Sequence, residues 1–196
     1  PNLHEFTKEN LSKADVAIEF TSPHTAFDNI RYCIEMGVPV VSGSTGWTER
    51  LEEMKKICSD KNGGFIYASN FSIGVNIFFE VNKKLAAMMA PHQEYEVLIE
   101  ETHHTQKKDA PSGTAITLAE QILQEGNKKK RWVNDLSENP EDLEIISQRV
   151  DPAPGTHSIK YSSAIDDIEI IHTAHNRRGF AAGAVLAAEF IAHKKG

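Results

Sequence analysis

The chain has 196 residues, with 21 Lys+Arg against 28 Asp+Glu for a net charge of −7, and 40% hydrophobic and 25% charged residues. This balance is ordinary for a soluble globular protein of one large or two modest domains, and it disfavours disorder. It also lacks the basic excess with which a nucleic-acid binder replaces counterions. The longest uninterrupted apolar stretch, Phe180 to Ala188, is too short to span a bilayer, so no membrane partner is expected. No charged-then-apolar leader stands at the start. Cys33 and Cys58 lie far apart without metal-ligand spacing and read as buried thiols of a reducing compartment. The expected localisation is therefore cytoplasmic.

Nothing before Ala14 reads as core. Val16–Phe20 predicts a buried strand ended by Thr21-Ser22-Pro23. Ala26, Phe27, Ile30, Cys33 and Ile34 then recur at helical spacing up to Gly37, a natural helix stop. Val38–Val41 is a second short apolar run, so strand, helix and strand suggest a parallel βαβ unit. Thr48 is a candidate N-cap for a helix carrying Leu51, Met54 and Ile57, and Phe65–Ala68 reads as a third strand.

Val75–Met89 predicts a long helix, and alternation around Val97 and Ile99 predicts a half-exposed strand running into His103-His104. Ala115, Leu118, Ala119, Ile122 and Leu123 mark another amphipathic helix. Gly126–Pro140, with Lys128-Lys129-Lys130-Arg131, reads as a polar surface loop. Three strand-like segments follow (144–150, 156–163 and 167–174), whose alternation favours an antiparallel or mixed sheet open to solvent on one side. Phe180–His193 closes the chain as an Ala-rich helix.

The densest chemistry lies in His103–Ala115, between a strand end and a helix start. Pro111 and Ser112 open the helix, so N–H groups near Ser112, Gly113 and Thr114 point outward as an anion site. Gly113 lets a ligand approach the backbone. His103, His104 and Lys107 stand just upstream as groups that titrate or donate near neutral pH. On residues alone this is a site for a small carboxylate or phosphate beside a proton donor, although a Ser cap after a Pro is equally a plain structural device. Adjacent strand histidines face opposite ways, and no helical His pair or Cys ligand accompanies them, so no metal is assigned. Gly43-Ser44-Thr45-Gly46 and Ala68-Ser69-Asn70-Phe71 follow two strands and are expected on one sheet edge, where nucleotides bind. Each alone is also simply a turn.

The segment Glu101–Ala115 resembles the signature of the 4-hydroxy-tetrahydrodipicolinate reductase (dihydrodipicolinate reductase) family, E-x-H-H-x-x-K-x-D-A-P-S-G-T-A. The resemblance extends to Glu19-Phe20-Thr21, Gly43–Gly46, Ser69–Asn76, Pro154–Ser158 and Arg177–Ala184. It implies hydride transfer from NADH or NADPH in the diaminopimelate route to lysine, on a small dicarboxylate substrate, by a homotetramer. By the same resemblance His103 falls at the proton donor/acceptor position and Lys107 at the catalytic lysine. His104 falls at the substrate-contacting histidine, and Gly113 with Thr114 at the carboxylate cradle. Gly43, Ser44 and Thr45 fall on one cofactor loop, and Ala68, Ser69, Asn70 and Phe71 on the other. Arg177 and Phe180 lie where the chain returns to the cofactor domain. The dianionic substrate would be drawn to His103, His104, Lys107, Lys108, Arg177 and Arg178 despite the overall negative charge.

The expected fold is α/β: a truncated Rossmann-type dinucleotide-binding domain (1–72 and 177–196) and an α+β substrate and oligomerisation domain with a mixed sheet (73–176). The family's opening strand and G-x-x-G-x-x-G turn, and the ribose-reading residue about 20 positions on, have no counterpart in these 196 residues. They would carry the choice between NADH and NADPH. Two other function classes follow from the same residues: a non-catalytic dicarboxylate-binding domain that has lost its cofactor half, and another nicotinamide-dependent reductase of similar architecture.

Overall fold

A computed structural model of the protein describes residues 6–126 and 128–196. The chain forms two compact units, one built from the residues up to Ser72 together with Phe180–Gly196, the other from Ile73–Gly179.

The first unit opens on a short helix, α1 (Lys8–Leu11), whose Leu11 is buried in the core, while Phe6 meets Tyr32 edge-on with ring centroids 5.3 Å apart. The expectation that core begins only after Ala14 is thereby corrected. One buried apolar residue in a four-residue helix leaves no periodicity to read. Strands β1 (Ala17–Glu19), β2 (Val40–Ser42) and β3 (Phe65–Tyr67) form a parallel sheet in the order β1-β2-β3. They are joined by α2 (Ala26–Glu35) and α3 (Leu51–Asp60). Gly37, just past α2, has φ +77°, the left-handed conformation expected of a helix stop.

Successive residues on β2 face opposite ways, and both faces are covered. Val40 is buried among Phe27, Ile30 and Ile34 of α2 and Met54 of α3. Its neighbour Val41 packs with Ala188 and Ile191 of the last helix, α6 (Arg178–Ile191). This double burial explains why the strand reads as an unbroken apolar run. Thr48 does not cap α3: it begins a single 3₁₀ turn, Thr48–Arg50, with no side-chain cap bond, and α3 follows from Leu51.

The second unit starts with α4 (Ile73–Met89) and continues through β4 (Glu96–His103), α5 (Gly113–Gln124), β5 (Arg131–Val133), β6 (Asp142–Arg149), β7 (Thr156–Ser162) and β8 (Asp167–Thr173). The five strands make one mixed sheet in the order β5-β6-β4-β7-β8. β5, β6 and β4 are parallel, whereas β7 and β8 run antiparallel. α5 lies against β4, β5 and β6, and α4 against α5 and β8. The buried Asn82 of α4 donates to Leu118 O (3.1 Å) and Gln121 Oε1 (2.9 Å) of α5.

The segment read as a polar loop contains the edge strand β5, and its basic run is not simply solvated. Lys129 is buried, reaching Glu96 at 2.9 Å and Pro140 O at 3.0 Å. Arg131 grips Asp142 through both carboxylate oxygens. Three residues of strand flanked by charge carry too little alternation to be read from sequence. Among the described residues no helix is long and apolar enough to cross a membrane.

Gly183 of α6 allows the closest approach in the first unit: a Cβ there would sit 1.7 Å from Phe71 O. Gly183→Ala is expected to destabilise the protein by about 1–3 kcal/mol through forced displacement of this contact. Denaturant unfolding reads the effect, and an unchanged midpoint would contradict the packing.

Candidate active site

On β4 the odd-numbered residues Val97, Ile99, Glu101 and His103 are buried, while Glu96 and Glu100 on the opposite face are exposed. The apolar half of that face ends at Ile99, so the strand carries a carboxylate and then an imidazole into the interior. A buried charge needs partners, and those of Glu101 come from three other elements. Ser112 N–H at the head of α5 donates to both carboxylate oxygens at 3.1 Å. Arg149 Nη2 of β6 lies 3.0 Å from Oε1. His157 Nε2 of β7 is 3.6 Å from Oε2 and 3.1 Å from Ser112 Oγ. Burial pushes the Glu101 carboxyl upward, but His157, Ser112, Ser147 and Arg149 outweigh it and hold the group well below the usual carboxylate range.

His103 faces the same carboxylate. Its Nδ1 lies 3.4 Å from Glu101 Oε2, outside hydrogen-bonding geometry and without another partner. The ring stands edge-on to His157, with centroids 5.1 Å apart. Burial, reinforced by His157, Lys107 and Arg149 and opposed by Glu101, brings its pKa down to about 4. His103 is therefore neutral at neutral pH. Gly155, at φ +152°, comes close to the other ring nitrogen: a Cβ there would lie 3.1 Å from Nε2.

Arg149 also organises the loop between β4 and α5. Its guanidinium donates to Lys107 O (Nε, 3.3 Å) and Asp109 O (Nη2, 2.5 Å). Lys107 Nζ in turn bonds both carboxylate oxygens of Asp109, at 2.8 and 2.7 Å. Ser112 caps α5 by accepting from Ala115 N at 3.2 Å. The expected row of outward N–H groups is thus corrected at its first member: Ser112 N–H is spent inward on Glu101. His104, just past β4, receives Arg177 Nη2 at 2.8 Å on its Nε2. These two residues, with Gln106, Asp151 and His175, line a cavity of about 410 Å³.

Glu101, His103 and His157 place their donor atoms within 4.8 Å of one another. This grouping was not visible as ligand spacing, because His157 arrives from β7 through strand pairing. The carboxylate in it is already engaged by Ser112 N–H and by the Arg149 cation. Arg149 and His157 escaped prediction as site residues. The signal that was available is the parity of Glu101 with Val97 and Ile99.

In the first unit the two predicted loops follow β2 and β3, neighbouring parallel strands. The first of them is organised by another buried carboxylate, Glu19 at the end of β1. It accepts from Thr21 N (2.8 Å), Thr21 Oγ1 (2.6 Å), Ser42 Oγ (2.5 Å) and Ser44 Oγ (2.8 Å). Ser44 therefore turns its side chain inward, whereas Thr45 is exposed. A Cβ at Gly43 would meet the Phe20 ring at 2.1 Å, and Phe20 meets Phe71 at a tilt of 56° with centroids 5.8 Å apart. Ala68, Ser69 and Asn70 are half-buried, with Asn70 Oδ1 accepting from Ser72 N at 2.9 Å. A cavity of about 570 Å³ in this unit, beside Lys55, Phe65, Tyr67 and Lys195, holds none of the predicted residues.

A parallel sheet with small-residue loops at its carboxyl ends, in one chain with a mixed-sheet unit carrying a histidine–lysine loop, defines a two-unit α/β oxidoreductase. Residues 2–71 match the family described as dihydrodipicolinate reductase, N-terminus, and residues 74–196 its C-terminus. The chain belongs to the dihydrodipicolinate reductase family. It is 53% identical over 187 residues to a 4-hydroxy-tetrahydrodipicolinate reductase of Christiangramia forsetii, covering 95% of this chain and 78% of that protein. Another of the same name, from Methanococcus aeolicus, is 34% identical, covering 99% and 71%. The dipicolinate-bound dihydrodipicolinate reductase from Paenisporosarcina sp. TG-14 superposes with a TM-score of 0.68 at 28% identity, covering 93% and 71%. The apo scyllo-inositol dehydrogenase of Lactobacillus casei, at 11% identity, TM-score 0.52 and coverage of 94% and 70%, shares the fold.

The site makes stability acid-sensitive in two windows. His103 is depressed from 6.5 to about 4, so the folded state disfavours its charging. Stability on its account is complete above about pH 6.5 and declines as the pH falls to about 4. Glu101, held low by its partners, adds a loss that begins as the pH falls through the ordinary carboxylate value of 4.5 and continues below it. Thermal unfolding followed against pH should show both, and His103→Gln should flatten the upper window alone. An unchanged slope between pH 6.5 and 4 in that variant would contradict the assignment.

Proposed function

We propose that this chain reduces 4-hydroxy-tetrahydrodipicolinate to tetrahydrodipicolinate with NADH or NADPH, and that it works as a homotetramer in the cytoplasm. The observation that carries the reading is the meeting of His103, the Lys107 loop and the start of α5 at one buried carboxylate. That arrangement puts a proton-transfer group, a cation and a carboxylate cradle on one rigid support, and it agrees with the substrate named for the relatives.

The first unit fits a nicotinamide. Its loops are small-residue turns at the carboxyl ends of parallel strands, with Gly43 kept free of a side chain and Thr45 exposed. Gly43, Thr45 and the backbone of Ser44 would hold it on one side, and Ala68, Ser69, Asn70 and Phe71 on the other. When bound, it supplies the hydride.

The second unit handles charge and protons. The net reaction takes up a hydride and a proton and releases water. His104 with Arg177, Lys107, and the N–H groups of Gly113 and Thr114 receive the two carboxylates of the substrate. At rest Lys107 is occupied by Asp109, so the substrate exchanges one carboxylate partner for another. His103, neutral with a pKa of about 4, gains affinity for a proton when two carboxylates arrive beside it. It then delivers that proton to the ring, directly or through a water it holds, with Lys107 alongside.

The catalytic part of the proposal predicts that His103→Ala and Lys107→Ala each lower kcat by about 10²–10⁴-fold, the range of a lost general acid. Activity unchanged in the double variant would overturn it. Proton uptake is checked separately: calorimetric titration of the full-length protein with pyridine-2,6-dicarboxylate near pH 7, in buffers of different ionisation enthalpy, should show uptake that His103→Ala abolishes. For the assembly, Ile168 and Ile171 stand exposed on the edge strand β8, apolar area that a subunit contact would cover. Light scattering is expected to give four times the subunit mass, and a monomer would refute that part.

A further inference from the structure

We propose that the Glu101–Arg149 ion pair is the positioning device of this site, holding the ring of His103, the start of α5 and the Lys107 loop in one fixed arrangement. The inference rests on the functional reading above for its effect on turnover, and on geometry alone for its effect on the imidazole. Neither residue is placed against the substrate; both act through residues that are.

The geometry is specific at each end of the pair. Glu101 has no exposed side-chain surface, and its two oxygens gather Ser112 N–H at 3.1 Å, Arg149 Nη2 at 3.0 Å and the Nδ1 side of His103 at 3.4 Å. Ser112 N–H belongs to the residue before the cradle positions Gly113 and Thr114, so the carboxylate sets where that helix begins. At the other end, Arg149 spends its remaining donors on main-chain carbonyls of the reactive loop, Lys107 O and Asp109 O, and on its neighbour Gln148 O. A planar fork reaching a carboxylate and three carbonyls cannot be replaced by a single ammonium. A buried ion pair is seldom the most stabilising filling for an interior, since apolar residues of similar volume often serve as well. Its worth here lies in direction.

Glu101 also decides which nitrogen of His103 carries the proton. Nδ1 is buried and makes no hydrogen bond, but it faces the Glu101 carboxylate at 3.4 Å, and the field of that anion favours the proton of the neutral ring on Nδ1, leaving Nε2 as the lone-pair nitrogen. The charged and titratable groups around the ring are Glu101 on β4, His157 on β7, Arg149 on β6 and Lys107 in the loop. Glu101 is the single anion among them.

The test uses the full-length protein. Arg149→Lys keeps the charge and removes the fork; the double variant Glu101→Gln/Arg149→Gln removes both charges together. With folding verified by the thermal transition, each is expected to lose kcat on the order of 100-fold, the cost of displacing reacting groups by about 1 Å, with KM changed little. A variant that folds and keeps kcat within about twofold of the parent overturns the proposal. Histidine ¹⁵N spectra, recorded without substrate, should show His103 in the parent as a single Nδ1–H tautomer, and as a mixture in the double variant. An Nε2–H ring in the parent also overturns it, whether or not either variant folds. If His103→Ala and Lys107→Ala retain activity while the tautomer behaves as expected, the functional reading fails and the positioning role of Glu101 stands.

Discussion

The buried charge of Glu101 is the constraint from which the second unit takes its form. A carboxylate without solvent must be met by donors or cations, and no single element of this fold can supply enough of them. The donors come from the head of α5, from the end of β6 and from β7. Satisfying one group therefore fixes the order in which β6, β4 and β7 lie side by side, and the depth at which α5 starts. The reactive loop, pinned by Arg149, inherits its position from that arrangement.

The first unit uses the same principle with different partners. Glu19 sits at the end of β1, as Glu101 sits near the end of β4, and is buried beneath the turns that follow β1 and β2. Its donors are hydroxyls and one backbone N–H, neutral groups that fix turns without bringing a positive charge to the carboxylate. At Glu101 the partners include a guanidinium and two imidazoles. A scaffold for small, closely approached loops needs only fixed turns, whereas a site that manages protons and anions needs charges held at defined places.

Charges in the resting site are largely paired with one another. Lys107 is held by Asp109, Arg149 by Glu101, and His104 meets Arg177. The basic cluster read from the sequence thus presents itself as a set of exchangeable contacts rather than as an unscreened positive field. In the proposed reaction the incoming dianion exchanges with Asp109 at Lys107 and raises the proton affinity of an imidazole that burial had kept neutral, so that binding and protonation are coupled through one change in local charge.

Periodicity determined the element types. The alternation on β4, the helical spacing of α2, α4 and α5, and the apolar run of β2 were legible because burial on one or both faces imposes those patterns. The contiguous segment His103–Thr114 was legible for the same reason that motifs are: its members are neighbours in the chain. Leu11 and β5 were not, since elements of three or four residues are too short to show a period. Arg149 and His157 lie 48 and 56 residues beyond Glu101 in the numbering, and only the parallel register of β6 and the antiparallel register of β7 bring them to it. The inward turn of Ser112 N–H and of the Ser44 hydroxyl could not be foreseen either, because each answers a buried carboxylate on another strand. The sequence by itself determined which residues are candidates for the site and which segments fold locally. The tertiary structure decided which charges meet, because the cost of burying a carboxylate is settled by strand neighbours that the linear order does not reveal.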